Sequence, residues 1–125
     1  GPPREAIRLI RDRRELNGVR LVTRQTGIDL TRRMREYARR RVRELTKERL
    51  SGYILKKDSP TCGMEQVKVW DHRGTNEPNG RGIFAAELLR QFPTMPVEEE
   101  GRLRDPRIRE TFIDRVFMYQ QLRQL

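Results

Sequence analysis

The residues best suited to chemistry lie in one run, Gly52-Tyr53-Ile54-Leu55-Lys56-Lys57-Asp58-Ser59-Pro60-Thr61-Cys62-Gly63. Tyr53-Ile54-Leu55 is short and apolar, which suits a buried strand, and polar turn-forming residues follow it. In open α/β sheets reactive groups collect beyond the carboxyl ends of strands, where side chains leave the packed core and converge. Cys62 falls in that place. Pro60 restricts one φ, Gly63 admits backbone angles that other residues resist, and Lys56 and Lys57 supply positive potential favouring thiolate over thiol. A thiolate can ligate a metal or attack a substrate, while a lone cysteine can equally be an inert buried side chain. His72, the one histidine, sits in a polar turn and is expected in solvent rather than as a partner base. One cysteine excludes an internal disulfide, and with one histidine it cannot close a four-ligand zinc site alone.

The surrounding pattern predicts an α/β fold: an amino-terminal β-hairpin, a small, partly parallel and incomplete sheet flanked by helices, and a carboxyl-terminal helix. Residues 6–10 and 19–23 read as strands, with Asn17-Gly18 supplying a tight turn. Asp29 or Thr31 caps a helix running to about residue 48, with Leu30, Met34, Tyr37, Ala38, Val42 and Leu45 on one stripe. Ser51-Gly52 breaks it. Val67 and Val69 alternate as in a strand ending at Trp70, residues 71–82 read as turn-rich, and a helix covers residues 83–92. Two glycines in Gly80-Arg81-Gly82 can let amides approach an anion, but loop flexibility is the preferred reading without the remaining phosphate-loop residues. Residues 98–101 read as an exposed connection. Asp105-Pro106 then starts a helix whose broad apolar stripe, Ile108 to Leu122, asks for burial on more than one side. It packs back on the preceding unit, or self-associates, or belongs to a bundle whose other helices are not in this sequence.

Thirty of the 125 residues are Leu, Ile, Val or Phe, above the level of about 20% below which charged chains stay disordered, so one domain-sized unit should fold. No apolar run approaches a membrane span and no secretion signal opens the chain, so a cytoplasmic protein is expected. Lys and Arg number 28 against 18 Asp and Glu, a net charge of +10, and 24 of the 28 are Arg. Guanidinium forks match phosphate oxygens in pairs, which makes a nucleic acid a plausible partner, although Arg preference also follows from genomic base composition. Arg32, Arg35, Arg39 and Arg43 stand on the long helix as candidate RNA contacts; the alternative is a solvated face braced by Glu36 and Glu44.

The run from Gly52 to Gly63, with its Ser59-Pro60-Thr61-Cys62-Gly63 core, resembles the bacterial thiouracil and thiouridine desulfidases. So do Thr26-Gly27-Ile28-Asp29-Leu30-Thr31, Gly80-Arg81-Gly82-Ile83 with Ala86-Glu87-Leu88-Leu89-Arg90, and Pro96-Val97-Glu98-Glu99-Glu100-Gly101-Arg102-Leu103. The resemblance implies a four-iron, four-sulfur cluster held by three cysteines, with Cys62 the third, Ser59 catalytic, and Lys56 and Ser59 facing the substrate; from its position in the turn alone, the Ser59 hydroxyl can equally serve to stabilise that turn. The implied chemistry is Lewis-acid hydrolysis of a carbon–sulfur bond in a thiolated pyrimidine, free or in transfer RNA. The other two cysteines belong to an amino-terminal stretch without a counterpart here, so this chain is expected to be a fragment that binds no cluster by itself and is inactive alone. The matching division is a partial desulfidase domain over residues 1–97, a linker over 98–104, and the first helix of a second, helical domain over 105–125. The competing reading is a non-catalytic basic module binding RNA, with Trp70 or Tyr53 free to stack on bases; core placement of both aromatics is the plainer expectation.

Overall fold

The computed structural model describes residues 5–125, and it is an α/β protein. Strands β1 (Ile7–Arg11) and β2 (Val19–Thr23) form the antiparallel hairpin, in register Leu9 to Leu21. The connection spans residues 12–18 and is closed by Asp12 N–H donating to Gly18 O at 2.8 Å. Asn17 and Gly18 take φ of 67° and 72°, the left-handed angles for which that pair was singled out.

Helix α1 (Thr31–Leu45) buries Ala38, Val42 and Leu45 and half-buries Leu30 and Met34. Tyr37 does not join them: it is exposed, with the Arg40 guanidinium over its ring. At the amino end Asp29 Oδ1 accepts from Thr31 N–H at 2.9 Å, while Thr31 Oγ1 turns back to accept from Leu21 N–H of β2 at 2.8 Å. The cap position itself falls on Leu30, which has no capping side chain; Asp29 serves the first helical amide from one residue further out, and the Thr31 hydroxyl ties the helix to the hairpin. The exit lies earlier than Ser51-Gly52, at a short 3-10 turn (Thr46–Glu48) followed by Arg49 in the left-handed region.

Next come β3 (Tyr53–Leu55), β4 (Val67–Trp70) and β5 (Asn76–Gly80). β4 lies parallel to β1, and β5 returns antiparallel beside it, giving the order β2-β1-β4-β5. The residues read as turn-rich therefore contain a strand. Asn-Glu-Pro-Asn-Gly lacks strand propensity and holds its place as an edge, where Pro78 lacks a donor at little cost. Helix α2 (Ile83–Gln91) and strand β6 (Val97–Glu99) follow, and β6 pairs with β3 in a separate parallel two-stranded sheet.

Two apolar clusters share the interior. One joins α1, α2, β3 and β6 around Val42, Leu55, Leu88 and Val97; the other packs Leu9, Leu21, Val67, Val69 and Ile83 under the four-stranded sheet. Helix α3 (Pro106–Arg123) begins with Asp105 accepting from Arg107 N–H at 2.9 Å and Pro106 in the first turn, as its sequence requires. It packs back on the preceding unit. Phe112 and Val116 lie against Gly52, Tyr119 touches the first cluster, and Arg123 donates to Leu50 O and Ser51 Oγ. Ile113, Phe117, Met118 and Leu122 remain exposed on either side of that contact. No helix among the described residues is long and apolar enough to cross a membrane.

Candidate functional site

Cys62 lies in a turn seated on the amino end of α2. The first amides of a helix lack partners within it and must find acceptors elsewhere. Here the turn supplies them: Gly63 O accepts from Gly82 N–H at 2.8 Å, Thr61 O from Phe84 N–H at 2.8 Å and from Ala85 N–H at 3.2 Å. Gly82 permits this approach, since a Cβ there would stand 2.3 Å from Thr61 O. Neither an anion site nor loop flexibility accounts for the glycine; the cysteine turn itself occupies the helix end. Gly63 likewise serves closeness, not a special angle. Its φ is not positive, and a Cβ would fall 2.4 Å from Val67 Cγ2 and 2.8 Å from Ser59 O.

Within the turn Ser59 Oγ accepts from Cys62 N–H at 3.0 Å and Thr61 N–H at 3.2 Å, and lies 2.9 Å from Thr61 Oγ1. Thr61 Oγ1 donates to Cys62 Sγ at 3.6 Å. A hydroxyl has one donor and two acceptor positions. With both lone pairs of Ser59 facing amides, its proton points to Thr61, whose proton points to the sulfur. Ser59, Thr61 and Cys62 thus form a short relay along which a proton can pass between hydroxyl and thiol. Thr61 was not singled out in the sequence, where two residues after a turn serine it reads as one more turn-former.

The thiol is half-buried against the first apolar cluster, beside partly buried Tyr53 and Met64. Burial raises the Tyr53 phenol above its usual range, and the nearby Cys62 sulfur adds to the rise by opposing a second negative charge. Tyr53 and Phe84 meet with ring centroids 6.1 Å apart, so Tyr53 is a wall of the site and its core placement holds.

The chain after Cys62 is held by a residue read as part of an exposed connection. Glu99 is 2% exposed, and its Oε1 accepts from Met64 N–H at 3.0 Å and Glu65 N–H at 3.1 Å. The signal was present as alternation: Val97 and Glu99 face inward from β6 while Glu98 and Glu100 do not. Arg81 adds a second tie, its Nε donating to Met64 O at 2.9 Å.

Lys56 is exposed just beyond β3 and makes no hydrogen bond or ion pair among the described residues; Lys57 lays its stem over Gly101. His72 is exposed in the turn before β5, as expected. Trp70 is half-buried outside both clusters, with the guanidiniums of Arg8 and Arg24 over its ring at 5.3 and 5.8 Å. On α1, Arg32 pairs with Glu36 and Arg41 with Glu44, while Arg35 crosses to Glu15 at 2.9 Å. Arg35 and Arg39 line a cleft that Arg43 does not reach. No three His, Cys, Asp or Glu side chains among the described residues stand together so as to hold a metal ion. The residues present do not by themselves make a three-thiolate cluster site; Cys62 offers one sulfur.

The site is thus a half-buried thiol joined to two hydroxyls in a turn that follows a parallel strand of an α/β protein. No curated protein and no solved structure matches the chain significantly. The family model for 2-thiouracil desulfurase matches residues 1–100, and the chain belongs to that family.

Proposed function

We propose that this chain takes part in removing sulfur from a thiouracil-type base, with the 59–63 turn as its contact to the reacting centre. The observation that carries the reading is the relay Ser59–Thr61–Cys62, fixed by its seat on α2. It holds the Cys62 sulfur and two hydroxyls in one pre-formed place, so none has to be ordered when substrate arrives. Thr61, itself held by Ser59, is positioned to hydrogen-bond the sulfur and fix its direction. Lys56, without a hydrogen-bond or ion-pair partner among the described residues, is positioned to meet a polar edge of the base. In this reading Cys62 is one thiolate of a four-iron, four-sulfur centre whose other cysteines lie outside these 125 residues, and the polypeptide is a part of a larger desulfidase acting on a thiolated pyrimidine, alone or in transfer RNA. When bound, that centre would supply a Lewis acid for sulfur.

The test is anaerobic reconstitution with iron and sulfide of a polypeptide extended upstream, as wild type and as Cys62→Ala, followed by visible absorption and sulfide release from 4-thiouracil. Wild type should gain charge-transfer absorption and release sulfide, and Cys62→Ala should lose both. Equal cluster content in the two proteins would remove Cys62 from the ligand set.

A further inference from the structure

Away from Cys62, a cleft of about 560 Å³ lies between the four-stranded sheet and the pair α1 and α2. Arg11, Arg35, Arg39, Arg81 and Arg90 line it, and Glu87 is the one carboxylate among its lining residues. Its floor is apolar, made by Ala38, Val69 and Ile83.

Five guanidiniums around one concavity repel each other, and the acids at hand offset only part of that. Arg35 is engaged by Glu15, Arg90 by Glu87 with Nε at 3.1 Å, and Arg11 loosely by Glu77 at 3.7 Å. Arg39 makes no hydrogen bond or ion pair among the described residues, although its charge helps hold the Glu87 carboxyl below its ordinary range. Arg81 uses Nε on Met64 O and leaves both terminal nitrogens without partners among the described residues. Two unspent guanidinium groups over an apolar floor call for a ligand with an oxyanion at one end and a ring or hydrocarbon body at the other. Paired N–H donors from a planar fork fit phosphate oxygens best, and the volume is that of a small-molecule site, usually about 300–1,000 Å³.

We propose that this cleft binds a small molecule bearing a phosphate monoester on a ring-containing body, at a site separate from the 59–63 turn. A nucleic-acid backbone is tracked by an open stripe of cations, whereas Arg39 and Arg81 converge on a concavity.

The probes are inorganic phosphate, adenosine 5′-monophosphate, adenosine and a short single-stranded RNA, titrated calorimetrically at low salt into this chain. Adenosine monophosphate should bind more tightly than either phosphate or adenosine, with phosphate competing. Arg39→Ala, which removes no hydrogen bond or ion pair among the described residues, and Arg81→Ala should each weaken it about tenfold or more. Arg43→Ala, outside the cleft, should leave affinity unchanged. The proposal falls if neither phosphate nor the nucleotide binds, or if Arg43→Ala weakens binding as much as Arg39→Ala. It also falls if RNA alone binds.

Discussion

The seat of the cysteine turn on α2 makes Gly82→Ala the most informative single change. An ideal Cβ at residue 82 would stand 2.3 Å from Thr61 O, 2.4 Å from Thr61 C and 2.7 Å from Cys62 N. All three are backbone atoms, so no side chain can swing aside. Restoring ordinary contact at 3.4 Å means moving turn and helix apart by about 1 Å. That movement stretches the 2.8 Å bonds from Gly82 N–H to Gly63 O and from Phe84 N–H to Thr61 O past hydrogen-bonding range. Overpacking costs about 1–3 kcal/mol and each lost bond about 0.5–1.5, so the variant should lose about 2–6 kcal/mol. Domains of this size hold about 5–15 kcal/mol in all, so the loss is large. Urea unfolding followed by circular dichroism reads the loss. Native-state labelling of Cys62 with a disulfide reagent reads its location, and should speed up severalfold as the turn lifts. Gly74→Ala is the control: φ is +79° with nothing within 4 Å of the added carbon, so it carries backbone strain of about 1–2 kcal/mol and no packing clash. If Gly82→Ala unfolds at the same urea concentration as Gly74→Ala and labels at the wild-type rate, the docking argument is wrong.

Three further outcomes follow from the same geometry. Glu99→Ala should cost about 2–4 kcal/mol by stranding the Met64 and Glu65 amides, whereas Glu99→Gln, which keeps an acceptor at Oε1, should cost less than half as much; urea midpoints of the two variants decide it. Glu87 has its carboxyl held below the usual range, chiefly by the Arg90 hydrogen bond, so its contribution to stability is present above the unfolded value of about 4.3 and is lost as pH falls through the lower folded value. Urea midpoints measured on descending pH should therefore drop more steeply for wild type than for Glu87→Gln. Cys62→Ala should bring the Tyr53 phenol part of the way back toward its ordinary value, because burial raises it most and the neighbouring sulfur next; ultraviolet titration against a Tyr53→Phe reference would show no change if sulfur and phenol are not neighbours.

Much of the architecture was readable from local pattern. The hairpin over Asn17-Gly18, the apolar stripe of α1, the Val67–Val69 alternation and the Asp105-Pro106 helix start are signals of a few residues each, and the chain obeys them. Turn chemistry and side-chain periodicity act over short distances, so sequence order carries them. The strand at Asn76–Gly80 escaped because its residues do not favour one; pairing with β4 overrides weak propensity, and Gly80 is required where a Cβ would meet Val69 Cγ2 at 2.5 Å.

The sequence alone determined that a thiol would stand in a polar turn just after a short apolar strand, beside a serine, in a strongly basic chain; that strand was expected to be buried, but only Leu55 is, with Tyr53 half-buried and Ile54 exposed. Only the tertiary structure decided what holds that thiol: α2, whose amides seize the turn's carbonyls; Thr61, which links serine to sulfur; and Glu99, reaching across from a strand some thirty-five residues away. The same packing gathers arginines from α1, α2 and two strand ends around one cleft and leaves others on α1 paired in solvent. Residue type sets which chemistry is available. Which groups meet depends on contacts between segments distant in the chain, and burial and backbone closeness settle those only once the two apolar clusters have formed.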